Sequence, residues 1–154
     1  MEALYLLLKK TKTQLNPKLM WFDIMRRPYI RKYIIQELIQ KDQLQGKGID
    51  EDGDIIGRYS EFTEMINPKK VAGEPYTLKD TGEFYESMYI RIGLDYIEID
   101  ADPIKTNDKG EQTNLFYEYG EGIIGLTEQS KNKLAEKLKI EYANYIRELL
   151  YQTQ

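Results

Sequence analysis

From Thr127 to Tyr151 the apolar residues Leu134, Leu138, Tyr142, Ile146 and Leu149 return at intervals of three or four. That spacing predicts one amphipathic helix of about six turns, with Lys131, Lys133, Glu136, Lys137, Glu141 and Arg147 off the apolar stripe. Thr127 is placed to cap its start, with Ser130 as a second candidate. Such a stripe needs a second layer to cover it. The segment Met88 to Asp100 supplies a candidate layer. Met88, Ile90 and Ile92 alternate with Tyr89 and Arg91. After a tight turn at Gly93-Leu94-Asp95, Ile97 and Ile99 alternate with Tyr96, Glu98 and Asp100. This is a β-hairpin with one apolar and one polar face. The helix is expected to cap that sheet, and subunit packing in an oligomer is the other use of its stripe.

The N-terminal third also reads as helical. Residues 2–14 place Leu4, Leu7 and Leu8 on one side, and Asn16-Pro17 is a helix start with proline at the first position. Pro28 predicts a break near Arg27. Beyond it, Ile30, Tyr33, Ile34 and Leu38 fall at helical spacing, and Gly46 and Gly48 end the run. The middle is less regular. Asp50 to Asp54 is a turn, Ile55 to Tyr59 a short strand, and Ser60 opens a short helix that ends at Asn67-Pro68. Asp80 opens another helix, residues 101–113 read as a polar mobile loop, and Asn114–Tyr119 as strand or helical turn. The expected fold is α+β, a small antiparallel sheet with N-terminal helices and a long C-terminal amphipathic helix. We expect a single domain over 1–154, with a basic helical part (1–47), a sheet-containing part (48–126) and the final helix (127–151).

Composition narrows the chemistry. The chain has no histidine and no cysteine. Histidine-based acid–base catalysis, Ser-His-Asp triads, thiol catalysis, disulfides and Cys/His zinc sites are therefore excluded. The mix of 41% hydrophobic and 31% charged residues suits a globular chain. No apolar run approaches the ~20 residues that cross a bilayer. The N-terminus lacks the order of a signal peptide, so no membrane partner and synthesis in the cytosol are expected. Residues 1–49 carry ten Lys/Arg and four acids, in a chain whose net charge is −4. This basic region is read first as a solvated helix face, and second as an arm making non-specific contact with DNA or an acidic partner. Thirteen tyrosines against four phenylalanines suit half-wet contact surfaces.

Three motifs could carry chemistry. Asp80-Thr81-Gly82 matches the triplet of aspartic proteases, and Ile123-Ile124-Gly125 matches their apolar-apolar-Gly element. Lys79, however, stands where an apolar residue belongs, and Glu83 follows where Ser or Ala is usual. The same residues make a capping box, with Asp80 accepting from the Glu83 amide and Glu83 reaching back; on that reading Asp80→Ala costs about 1 kcal/mol as a lost cap. Asp50, Asp52, Asp54 and Glu61 have calcium-loop spacing, but Ile55 stands where the loop requires glycine, so an acidic turn is expected. Tyr117-Glu118-Tyr119-Gly120-Glu121-Gly122 has no basic residue to hold a phosphate, and its glycines are expected to serve backbone geometry.

Two of these segments together resemble a family. Leu78-Lys79-Asp80-Thr81-Gly82-Glu83-Phe84-Tyr85-Glu86-Ser87-Met88 is similar to the L-x-D-T-G-x-L-x-x-S-apolar signature of virion-morphogenesis and tail-completion proteins of tailed bacteriophages. Phe116-Tyr117-Glu118-Tyr119-Gly120 is similar to their apolar-x-E-aromatic-G element. The order of elements agrees, and the resemblance covers roughly residues 48–135. Phe84 replaces the usual Leu, and Glu121 follows Gly120 in place of Thr. The resemblance implies a small α+β protein with no catalytic residues and no cofactor or metal. It implies a neck or tail-completion component at the head–tail junction, in the virion after assembly in the host cytoplasm. Its partners would be other virion proteins and further copies of itself in a ring, met through loops 46–60, 66–77 and 101–126. The motif residues Leu78, Asp80, Thr81, Gly82, Glu83, Phe84, Ser87, Tyr117, Glu118, Tyr119 and Gly120 would then be structural markers. The alternatives are a monomeric binding or regulatory domain of a mobile element, and the D-T-G protease.

Overall fold

The computed structural model describes residues 15–107 and 109–152, together with Glu2, Tyr5, Leu6, Lys9 and Lys12, which are helical. Leu4, Leu7 and Leu8, the expected face of the first helix, lie outside the described residues. Helix α1 (Pro17–Met25) starts as expected, with the Asn16 side chain accepting from the amides of Lys18 and Leu19. It stops before Arg27, which is extended, and Pro28 opens α2 (Pro28–Lys32). No described helix is long and apolar enough to cross a membrane.

Helix α2 passes without a break into a π-helix, Tyr33–Lys47. The buried residues there are Ile34, Leu38, Ile39, Gln43 and Leu44. Ile34, Ile39 and Leu44 are five apart, as are Leu38 and Gln43. A helix of about 3.6 residues per turn would send residues five apart to different faces. The i→i+5 winding of a π-helix stacks them on one face instead. The expected stripe is therefore right at Ile30, Ile34 and Leu38 and then diverges, because the winding changes. Gly48 ends the helix at φ 61, and its N–H reaches the Leu44 carbonyl at 3.0 Å. A Cβ at this position would lie 2.7 Å from the Tyr76 carbonyl oxygen. Gly48→Ala is expected to cost at least about 1 kcal/mol from its φ alone, before that clash is relieved. A shift in the urea midpoint reads it.

The middle of the chain makes two separate antiparallel hairpins. In the first, β1 (Tyr89–Ile92) pairs with β2 (Ile97–Asp100), with Ile90 opposite Ile99 and Ile92 opposite Ile97. Tyr89, Arg91, Glu98 and Asp100 share the other face, where Arg91 bridges Glu98 and Asp100 at 3.0 and 3.1 Å. This is the predicted alternation. The second hairpin corrects the expected mobile loop: β3 (Ile104–Thr106) pairs with β4 (Gln112–Asn114). Asn107 makes the turn, its Oδ1 accepting from the amides of Lys109 and Glu111 at 2.9 Å each. Ile55 to Tyr59 is not a strand; it holds two isolated bridges, Ile49 to Ile55 and Arg58 to Pro75. The Asp50 turn is an acidic Asx turn, with Asp50 Oδ1 accepting from Asp52 and Asp54 amides.

Short helices α3 (Glu61–Ile66), α4 (Glu83–Ser87) and α5 (Leu115–Tyr119) separate these pieces, and α5 resolves the segment read as strand or turn. A 3₁₀ turn (Glu121–Ile124) leads to the last helix, α6 (Glu128–Tyr151), capped by Thr127 as expected. One apolar cluster joins all three parts of the chain. It runs from Ile24, Met25 and Ile30 through Ile34, Ile39 and Leu44 to Phe84, Ile90, Ile123 and Leu134. Leu138, Tyr142 and Tyr145 of α6 pack on its edge. The fold is α+β, with N-terminal helices, two small antiparallel sheets and a long C-terminal helix.

Candidate functional site

The two motif segments meet in space. Phe84 is buried, and its ring stands edge-on to Phe116 with centroids 6.3 Å apart. Other residues of the two segments share the wall of an open pocket of about 260 Å³. Leu78 and Asp80 from the first segment and Glu118 and Tyr119 from the second line it. Residues that the sequence did not single out complete the wall. Tyr59 and Tyr76 stand edge-on at 4.9 Å, and Tyr76 and Tyr119 at 6.1 Å. Lys70, Lys79 and Lys105 bring positive charge to the same pocket. The only advance signal for the aromatic wall was the excess of tyrosine. Lys79 stood in the motif itself, but no signal existed for Lys70 and Lys105, whose places follow from the 66–77 loop and the second hairpin.

Asp80 does not cap the helix. Its carboxylate meets Lys105 at 2.6 Å and Lys70 at 3.4 Å. The cap position of α4 is Gly82 at φ 95, with no side-chain cap bond, and Thr81 Oγ1 accepts from the Glu83 amide at 3.4 Å. The expected capping box is absent because two ammonium groups draw Asp80 away from the helix start. Glu83 is exposed in the first turn of α4. Ser87 is the hinge between motif and sheet: its hydroxyl donates to the Phe84 carbonyl at 2.8 Å and accepts from the Asp102 amide at 3.0 Å. Tyr117 faces away from this arrangement and is 91% exposed. Gly120 ends α5 at φ 82.

Two features show how firmly the pocket wall is held. Leu78 has φ 54, a left-handed conformation that costs a non-glycine residue on the order of 1–2 kcal/mol. The buried Tyr85 hydroxyl donates to the Thr77 carbonyl next to it, and burial raises the Tyr85 pKa. Burial first, and Glu118 second, also raise the pKa of Tyr119.

Comparison with known families, with curated proteins and with solved structures finds no match for this chain. The chemistry of the pocket therefore rests on its own geometry. The hydrogen bond from Lys105, opposed by burial and helped by the charges of Lys105 and Lys70, holds the Asp80 pKa below the usual carboxylate value. An aspartic-protease carboxylate must share a proton with a second one; Asp80 is instead committed to two ammonium groups. Its lowered pKa contributes stability that is present above the ordinary carboxylate range and lost as pH falls through the folded-state value. Asp80 is 38% exposed, so solvent screens the pairs. Asp80→Asn is expected to cost about 0.5–1 kcal/mol at neutral pH. The difference between variant and parent should narrow as pH falls below the ordinary carboxylate range, as denaturation midpoints at neutral and acid pH would show.

Among the described residues, four basic residues of the N-terminal region are paired with acids of the same chain. Lys18 pairs with Asp95, Arg27 with Glu141 and Glu148, Lys41 with Glu37, and Lys47 with Asp42. Arg31 and Lys32 have no ion-pair partner among the described residues.

Proposed function

We propose that this chain is a structural virion assembly protein of a phage or prophage, a tail-completion or neck component that acts through contacts with other virion proteins and with its own copies. The observation that carries this reading is the packing of the D-T-G segment on the E-Y-G segment through Phe84 and Phe116, with other residues of both lining one pocket. Two pieces of sequence about thirty residues apart thus touch in the fold, which supports reading them together. The ionised Asp80, fixed between Lys70 and Lys105, supports a scaffolding role for these segments. Exposed apolar side chains add to it: Phe62, Met65, Ile66 and Tyr117 all project from short helices.

On this reading the protein joins preformed parts by geometry, in the host cytoplasm, and remains in the particle. Deleting its gene from the phage or prophage that encodes it should leave full heads and finished tails unjoined in electron micrographs of lysates. Restoring the gene should restore joined particles. Normal particles from the deletion strain would overturn the proposal.

A further inference from the structure

Helix α3 is an anomaly of burial. Short helices owe their stability to packing an apolar face, yet no residue of α3 is buried. Phe62, Met65 and Ile66 are 70%, 81% and 70% exposed. The helix is held from its ends, by Ser60 accepting from the Thr63 amide and by Glu64 accepting from the Ala72 amide. Glu61 has no partner among the described residues. The result is an apolar knob with an acidic flank.

Elsewhere on the chain lies its complement. A groove of about 230 Å³ runs between the start of the π-helix and the end of α4. Arg31 and Lys32 stand at it unpaired, Ile35 and Met88 supply apolar wall, and Glu86 is its one acidic group. We propose that the α3 knob of one copy docks into the Arg31–Lys32 groove of a second copy. The inference rests on the assembly reading above and names the contact that would build the oligomer. Charge complementarity argues for this occupant: the unpartnered Glu61 on the knob suits the unpaired Arg31 and Lys32 of the groove. Knob and groove share no residue, and the proposed contact is the unreciprocated one, knob of each copy to groove of the next, which propagates head to tail.

Sedimentation of the full-length chain over a range of concentrations tests this. The wild type should associate, and more weakly as salt rises. Met65→Glu, which spoils the knob, and Arg31→Glu, which spoils the groove, should each lower the association constant by about a hundredfold. Both positions are exposed, so circular dichroism should show both variants folded. Mixing the two variants should produce one-to-one heterodimers that grow no further, since the mixture retains one good knob and one good groove. If the wild type associates and the variants do so equally, or the mixture stays monomeric, this contact is overturned while assembly stands. A wild type that is monomeric at every concentration overturns both the contact and self-assembly.

Discussion

Replacing Gln43 with leucine is expected to destabilise the protein by about 3 kcal/mol. Gln43 sits in a run of lysine, aspartate and glutamine that reads as solvent-facing, yet it is completely buried. Its Nε2 donates to the Gly125 carbonyl at 2.8 Å, and its Oε1 accepts from the Thr127 amide at 3.1 Å. One side chain thereby ties the π-helix to the residue that caps α6. Thr127 Oγ1 in turn accepts from the Ser130 amide at 3.1 Å. Leucine roughly keeps the volume and leaves the buried Thr127 N–H and the half-buried Gly125 carbonyl without this partner, a lost donor or acceptor costing about 1–3 kcal/mol. The melting temperature should fall by roughly 6–12 °C. A midpoint within experimental error of the parent would show that the π-helix does not anchor α6 in this way.

The second large effect is expected at Arg27. Its guanidinium contacts Glu141 at 3.2 Å, Glu148 at 3.5 Å and the Tyr29 hydroxyl at 2.9 Å. Tyr29 also donates to Glu141, whose side chain is only 11% exposed. This clamp joins the α1–α2 break to the middle of α6. Arg27→Ala removes the cation and leaves Glu141 enclosed with only the tyrosine hydroxyl, so a loss of about 2 kcal/mol is expected. Removing both charges, as Arg27→Met with Glu141→Leu, should recover part of that loss, because no enclosed uncompensated charge then remains and Glu148 is exposed to solvent. A double-mutant cycle in urea would show coupling of at least about 1 kcal/mol. Simple additivity would mean that the pair contributes no interaction of its own.

Both residues illustrate what was legible beforehand and what was not. The final helix and the first hairpin follow from local periodicity. The stripe at Leu134, Leu138 and Tyr142 and the alternation from Met88 to Asp100 need no distant information. The π-helix was hidden because its early apolar residues, Ile30, Ile34 and Leu38, fit α-helical spacing equally well. Only Ile39, Gln43 and Leu44 betray the change of winding. The β3–β4 hairpin was hidden because its strands are three residues each and polar, and its turn depends on Asn107. At the candidate site, the D-T-G and E-Y-G segments were visible as motifs. Their meeting through Phe84 and Phe116 was not, nor was the capture of Asp80 by lysines ten residues before it and twenty-five after it. Long-range ion pairs leave no periodic trace, so the local capping rule gave Asp80 a role that Lys70 and Lys105 take away.

The Tyr59–Tyr76–Tyr119 wall, the left-handed Leu78 and the paired Asp80 describe a pocket held in place by its own neighbours. On the proposed reading, this rigidity serves to present α3 and α5 to other proteins. The central claim is that the chain is a part of the virion. Mass spectrometry of purified, nuclease-treated particles from the encoding phage or induced prophage tests it most directly. The account predicts this chain in the particles, in several copies for each portal assembly. Its absence from intact infectious particles would contradict the account.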